Sequence, residues 1–288
     1  MMKTGLVTAR MFAWACVLSV AGNAQFVCAL DIDFENPPYA TGSILGQNGW
    51  ATNAYVLADP FFGGVVNGTV DISTSNPLSG AQSVLYTQTV DPPTAGGSGA
   101  SDAGAAGVIV AREDGSSEID LSASVLLQSD ANNLGNGSMG FFIGQGGRSP
   151  IILLITNASS SGGTGDILVG DAAGLPDVGN YAAGTVLEAT FGVDLDNQNY
   201  ELSVRNVTAG TSATPLTGSG PGGRFPFFGG SIADDGDGVT YTLDASLLLR
   251  SGVGRADAMN LAAIPEPAGS SLGLMSVAAI GFFRRMRR

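Results

Sequence analysis

Val186-Leu187-Glu188-Ala189-Thr190-Phe191-Gly192-Val193-Asp194 and Tyr200-Glu201-Leu202-Ser203-Val204-Arg205-Asn206-Val207 flank the turn Leu195-Asp196-Asn197-Gln198-Asn199. Both arms mix apolar and polar residues at the short period of a half-buried strand. Asp and Asn tolerate the backbone of a tight reversal and can bond to their own main chain. The segment therefore reads as an antiparallel hairpin.

Its neighbours follow the same pattern. From about Asp31 to Ala263 no long helical periodicity is visible, and short alternating or apolar runs recur between Gly, Asn, Asp and Pro clusters. Besides the hairpin arms, the expected strands are Ile32–Glu35, Ala54–Ala58, Val65–Ser73, Gln82–Val90, Val108–Arg112, Glu118–Leu127, Gly140–Gly144, Ile151–Thr156, Asp166–Val169 and Val239–Leu249. Their spacing favours antiparallel sheets over β-α-β units. The 43 Gly suit many tight turns with positive φ. Pro92–Gly107, almost all Gly, Ala, Ser and Thr, is expected to be a flexible loop. No repeat of fixed period is present. The fold expected is all-β, one antiparallel two-sheet sandwich.

Composition narrows the chemistry. The chain has 288 residues, 44% of them hydrophobic, enough for a packed core. It contains no His, which excludes a His-based triad, an imidazole base and His metal ligands. The net charge is −13, unevenly spread. Lys3 and Arg10 stand at the front, and Arg284, Arg285, Arg287 and Arg288 at the back. The six Arg between them face all 25 acids, so that part carries −19. Such a charge repels phosphates, and nucleic acid is excluded as a partner.

The two ends read as addresses. Lys3 and Arg10, the apolar run Met11 to Val20 and the small residues after it have the order of a secretory signal. Cleavage fits after Ala24 or after Ala29. Ala29 is preferred because the polar strand-like segment Asp31-Ile32-Asp33-Phe34-Glu35 starts there. That choice removes both Cys16 and Cys28; cleavage after Ala24 leaves Cys28 alone, so neither allows an intrachain disulfide. The expected partners are the export translocase and signal peptidase. At the other end stand Pro265-Glu266-Pro267, the uncharged run Ala268 to Phe283, and Arg284-Arg285-Met286-Arg287-Arg288. The run is short for about 30 Å of hydrocarbon, and the arginines would hold its far end in the cytoplasm. The prolines mark a stiff, exposed junction before it.

This three-part tail, roughly Ile264 to Arg288, resembles the PEP-CTERM sorting signal of Gram-negative bacteria. The resemblance implies that Pro265, Glu266 and Pro267 are read by an exosortase, with the helix a temporary inner-membrane anchor before transfer to the surface or extracellular matrix. The plainer account is a single-pass tail anchor. The implied organisation is a signal peptide at 1–29, a β-sandwich at 30–263 and the sorting signal at 264–288. Asp33-Phe34-Glu35, Gly46-Gln47-Asn48-Gly49-Trp50, Gly80-Ala81-Gln82-Ser83-Val84, Phe191 to Asp196 with Tyr200, and Tyr241-Thr242-Leu243-Asp244 are similar to segments of the concanavalin A-like (laminin G-like) jelly roll. In that family Tyr241–Asp244 would be the closing strand.

Three features carry candidate chemistry. Glu118-Ile119-Asp120-Leu121 resembles the start of the Glu-x-Asp-x-x-Glu motif of concanavalin-fold glucanases, which need two carboxylates about 5–5.5 Å apart. Ser122, Ala123 and Ser124 follow instead, so the acid/base glutamate is missing, and an ordinary strand with Ile119, Leu121 and Ala123 inward is the better account. A carbohydrate-active enzyme is therefore disfavoured. Asp234, Asp235 and Asp237, with Asp194 and Asp196 on the hairpin, offer the hard oxygens of a Ca²⁺ site, with Asp31, Asp33 and Glu35 as rivals; solvated acidic turns are the commoner outcome. A Ca²⁺-assisted lectin-like module is the alternative they support. Trp50, Arg224, Phe225, Phe227 and Phe228 suit sugar binding if exposed, since flat CH faces stack on rings. Folded inward, the same rings would only close the sandwich. The function expected is a non-enzymatic structural or adhesive surface protein with polysaccharide as its partner.

Overall fold

The structure, a computed structural model, describes residues 29–35, 38–50, 68–88, 101–111, 120–129, 138–145, 148–156, 163–182, 184–236, 240–249 and 252–264. Their strands form two sheets. The larger contains β1 (Ala29–Ile32), β2 (Gly42–Ser43), β3 (Gly68–Ser73), β4 (Ser83–Gln88), β6 (Leu121–Ser129), β11 (Val186–Asp194), β12 (Asn199–Asn206), β13 (Thr214–Pro215), β14 (Phe225–Pro226) and β16 (Gly252–Ala263). The smaller contains β5 (Ser101–Ala111), β7 (Ser138–Gln145), β8 (Arg148–Thr156), β9 (Thr164–Val169), β10 (Asp177–Ala182) and β15 (Thr240–Leu249). The larger runs β13-β12-β11-β6-β16-β4-β3-β2, with β1 also on β16 and β14 on β12; the smaller runs β10-β9-β8-β7-β15-β5. Every pairing is antiparallel.

The hairpin forms as its sequence dictates. β11 and β12 pair from Leu187↔Asn206 to Asp194↔Asn199. In the turn, Asp194 Oδ1 accepts the Asn197 N–H at 2.8 Å, and Gln198 takes a positive φ of 52°. Leu187, Ala189, Phe191 and Val193 then point one way, into the core, with Leu121, Ala123, Val125 and Leu127 of β6 beside them. Met139, Phe141 and Ile143 of β7 and Leu243, Ala245 and Leu247 of β15 face them in the same buried cluster. At about 1.5–3 kcal/mol per buried large side chain, this interface between the sheets is what holds the fold. Phe191 lies 5.6 Å from Phe141 and 6.1 Å from Tyr200, whose ring stacks on Phe225 at 5.4 Å.

The smaller sheet is buried on both faces along β7 and β8. Phe142, Ile152 and Leu154 form a second cluster with Leu168, Leu175 and Phe228 packed against it.

Two loops lock onto the larger sheet. Glu35 Oε1 accepts Ala81 N at 2.7 Å and Gln82 N at 3.1 Å. Gly80 stands between with φ of 56°, and a Cβ there would lie 2.1 Å from that oxygen, so the loop needs glycine. Gln47 ties the other loop, donating to Ala40 O at 3.0 Å and Ser43 O at 2.6 Å. This seats Trp50 in the core, 1% exposed, with its Nε1–H donated to Tyr39 Oη at 3.0 Å. Trp50→Phe is expected to cost about 1–2 kcal/mol through the lost hydrogen bond and lost volume, read from urea unfolding.

Three expectations are corrected. Ser101–Gly107, expected as part of a flexible loop, belongs to β5 and pairs with β15, with Ala103 opposite Leu247 and Ala105 opposite Ala245; the backbone ladder along β15 holds a stretch that its composition reads as a loop. The closing strand is β16, not the Tyr241–Asp244 run, which lies in β15 between β7 and β5. The first strand is Ala29–Ile32, not Ile32–Glu35, because Glu35 is drawn off to the Gly80 loop. Ala29 pairs with Ala262. The expected strand Ala54–Ala58 and the signal and sorting segments before 29 and after 264 lie outside the described residues.

Candidate functional site

Alternation along the larger sheet sends a second set of side chains outward. Thr190 lies opposite Ser203 on one side and Ser124 on the other, Ser124 opposite Asn260, and Asn260 opposite Asp31. One row of hydroxyl, amide and carboxylate groups thus crosses five strands. At about 4.8 Å per strand it is roughly 19 Å long. The next row, Glu201, Gly192, Ser122 and Ala262, is made of small residues apart from Glu201. Thr190 and Asp31 are exposed, and Ser203, Ser124, Asn260, Ser122 and Gly192 are half-buried. The result is a shallow polar strip across the middle of the sheet.

Arg224 closes one end of the strip. Its Nη1 donates to Asp194 Oδ2 at 2.8 Å and its Nη2 pairs with Glu201 Oε1 at 2.9 Å. Asp194 is 0% exposed and holds Asn197 with both oxygens. Asp120 is also outward but buried, and its Oδ2 accepts Leu195 N at 2.7 Å.

Asp257 lies beneath the loops that cover β16, three residues before Asn260 of the row. It sits on β16 opposite Leu126, where the register shifts before Asn260. Its carboxyl is 0% exposed and accepts Ser79 N and Ala258 N, each at 2.8 Å. Burial pushes its pKa up to about 7; Glu35 and Asp33 add repulsion, and the two N–H bonds oppose the rise.

A fourth buried acid, Asp171, lies just after β9 and ties its own turn to the loop at Ser219. Burial pushes its pKa up, but bonds from Ser219 Oγ, Ala173 N and Ser219 N outweigh this and hold it below the usual carboxylate range. Asp171→Asn is expected to remove stability that is present above about pH 4 and lost as pH falls through the lowered pKa, an effect of about 1–2 kcal/mol in urea unfolding at pH 7 that shrinks as the solution is acidified.

The other residues singled out in the sequence are placed as follows. Trp50, Phe225 and Phe227 are buried, so they offer no surface for stacking sugars; Phe225 is drawn inward because β14 pairs opposite Tyr200. Phe228 packs on the second cluster. Asp194 is committed to Arg224 and its own turn, and Asp196 is exposed beside it. Asp235 accepts Thr242 Oγ1 at 2.7 Å and Asp234 accepts Gly236 N at 2.8 Å, both as turn acceptors. Asp237, Glu118 and the sorting residues Pro265, Glu266, Pro267, Arg284, Arg285, Arg287 and Arg288 lie outside the described residues, as does Ala24. Among the described residues no three His, Cys, Asp or Glu side chains are arranged to hold a metal ion. Among them also, no helix is long and apolar enough to cross a membrane. Leu121 and Ala123 point into the core, which makes Ser122 and Ser124 the outward neighbours of Asp120. Asn260 and Asp257 went unnoticed in the sequence, because the shifted register hides their strand.

No family model and no curated protein matches the chain. Among solved structures, it is similar to a CBM2 module of the Lactobacillus casei BL23 phage J-1 evolved Dit, with 10% identity and a TM-score of 0.49, over 83% of this chain and 96% of that one. It is similar to a basic winged bean lectin solved with Tn-antigen, with 8% identity and a TM-score of 0.42, over 83% of this chain and 98% of the lectin. A sialidase matches with 11% identity and a TM-score of 0.45; the match covers 81% of this chain and 18% of the sialidase.

Proposed function

We propose that the chain is an exported, non-enzymatic β-sandwich that binds an extended polysaccharide across the outward strip of its larger sheet. The observation that carries this reading is the row Ser203–Thr190–Ser124–Asn260–Asp31. Hydroxyl and amide groups can each donate and accept, so a row of them matches a ligand that bears hydroxyls at regular intervals. Gly192, Ser122 and Ala262 beside it leave room for a chain to lie flat. Asp120, bonded to Leu195 N and followed outward by two serines, supports binding without hydrolysis.

The address is part of the proposal. The basic and apolar N-terminus would deliver the chain to the translocase and signal peptidase, and Pro265-Glu266-Pro267 would hand it to an exosortase for release at the surface. Mass spectrometry of the protein from its host is expected to find a form lacking the terminal arginines; a mature form ending at Arg288 overturns the processing.

Binding is tested with the full-length chain on a polysaccharide panel. Thr190→Arg lays a long side chain over the strip and is expected to weaken binding about tenfold, or 1.4 kcal/mol, with an unchanged Tm. A wild-type chain that binds no polysaccharide, or a Thr190→Arg chain that binds equally well, overturns the reading.

A further inference from the structure

We infer that the polymer taken by this strip is a cationic, amino-bearing polysaccharide; this rests on the strip being a polysaccharide site. Among the described residues the strip has no stacking platform, since Trp50, Tyr200, Phe225 and Phe227 all point into the core. Neutral sugars gain much of their affinity from rings packed on their CH faces, so polar and charged contacts must supply it here. The charges present are of one useful sign. Asp31 ends the hydroxyl row, and Asp33 follows on the same side, both exposed. Asp71 points outward from β3, between the buried Val70 and Ile72.

Among the described residues, two of the three arginines of this face are paired with carboxylates, Arg205 with Glu188 at 2.6 Å and Arg224 with Asp194 and Glu201, while Arg255 contacts the neutral Gln128 at 3.5 Å. A uronate or sulfate entering the strip at Asp31 and Asp33 would meet carboxylates, within a chain whose net charge is −13. An ammonium group on one sugar would meet Asp31 and Asp33 while hydroxyls of that sugar and of the sugars after it along the chain meet Asn260, Ser124 and Thr190 in turn. A basic protein would satisfy the charge but not the row, because an interface of that kind is built on buried aromatic or aliphatic anchors, and this row has none.

The test uses the full-length chain on immobilised chitosan, the same chitosan after complete N-acetylation, alginate and poly-lysine, at low and high salt. N-acetylation removes the charge and keeps the sugar ring. Chitosan is expected to bind at least about tenfold more tightly than its acetylated form, and to lose that margin at high salt. Asp31→Asn with Asp33→Asn is expected to reduce chitosan binding roughly threefold to tenfold, at unchanged Tm. The second substitution keeps a side-chain oxygen for the Glu35 N–H that Asp33 now accepts at 3.0 Å. Equal binding of both chitosan forms, stronger binding to alginate, or poly-lysine bound as tightly as chitosan overturns the cationic-sugar assignment and leaves the polysaccharide site standing only in the first two cases. Absence of binding to every polysaccharide sinks the site itself.

Discussion

Arg224→Ala should lower the unfolding free energy by about 3–5 kcal/mol, read from urea unfolding at pH 7. The size comes from what the arginine leaves behind. Asp194 is 0% exposed, and Arg224 is the cation that meets it, at 2.8 Å. Its remaining partners are the N–H and side-chain amide of Asn197. Without the guanidinium a carboxylate stays buried with its charge uncompensated, which costs far more than a surface pair contributes. Glu201, 57% exposed on its side chain, would return to water at little cost. Adding Asp194→Asn to the variant removes the buried charge and is expected to restore at least about half of the loss. A single Arg224→Ala chain within about 1 kcal/mol of wild type would show that the pair holds nothing.

Asp257→Asn should change how stability depends on pH. In the fold, burial first and then the charges of Glu35 and Asp33 raise this carboxyl to about 7. In the unfolded chain it titrates near 4, as an ordinary aspartate. Between those values the folded protein holds the proton more tightly than the unfolded chain does. Asp257 therefore favours folding fully below about pH 4, and that contribution is lost as pH rises through about 7. Three pKa units correspond to on the order of 4 kcal/mol. The variant cannot ionise, so its stability relative to wild type should climb by that amount from pH 4 to pH 8. Its amide must turn one donor toward Ser79 N or Ala258 N, a fixed cost that shifts the whole difference curve without tilting it. A difference that stays flat across this range would sink the assignment.

The hairpin was readable because all its determinants are local: alternation in both arms and Asp and Asn in the turn. β6 was readable for the same reason, with Leu121, Ala123, Val125 and Leu127 alternating inward. β16 was not. Gly254 and Ala256 point inward, then Met259 and Leu261, and the change of phase at Asp257 breaks the period that a reader of the sequence follows. β13 and β14 are two residues long and exist only because β12 pairs with them. The candidate site shows the same limit. Asp194 looked like a metal ligand and Arg224 like a sugar contact, yet they bind each other across 30 positions. Nothing local to either residue announces that. The strip itself was invisible, since it is assembled from several strands with one or two small polar residues from each.

β16 comes late in the chain and sits in the middle of the larger sheet, between β6 and β4, with β1 alongside. A chain still being made has not yet delivered residues 252–263. Until it does, β6 and β4 each present an unsatisfied edge, and the earliest strand has no partner. The larger sheet therefore cannot be complete until its beginning and its end have met. Loss of residues 252–263 would remove three pairings of the larger sheet at once, those with β1, β4 and β6.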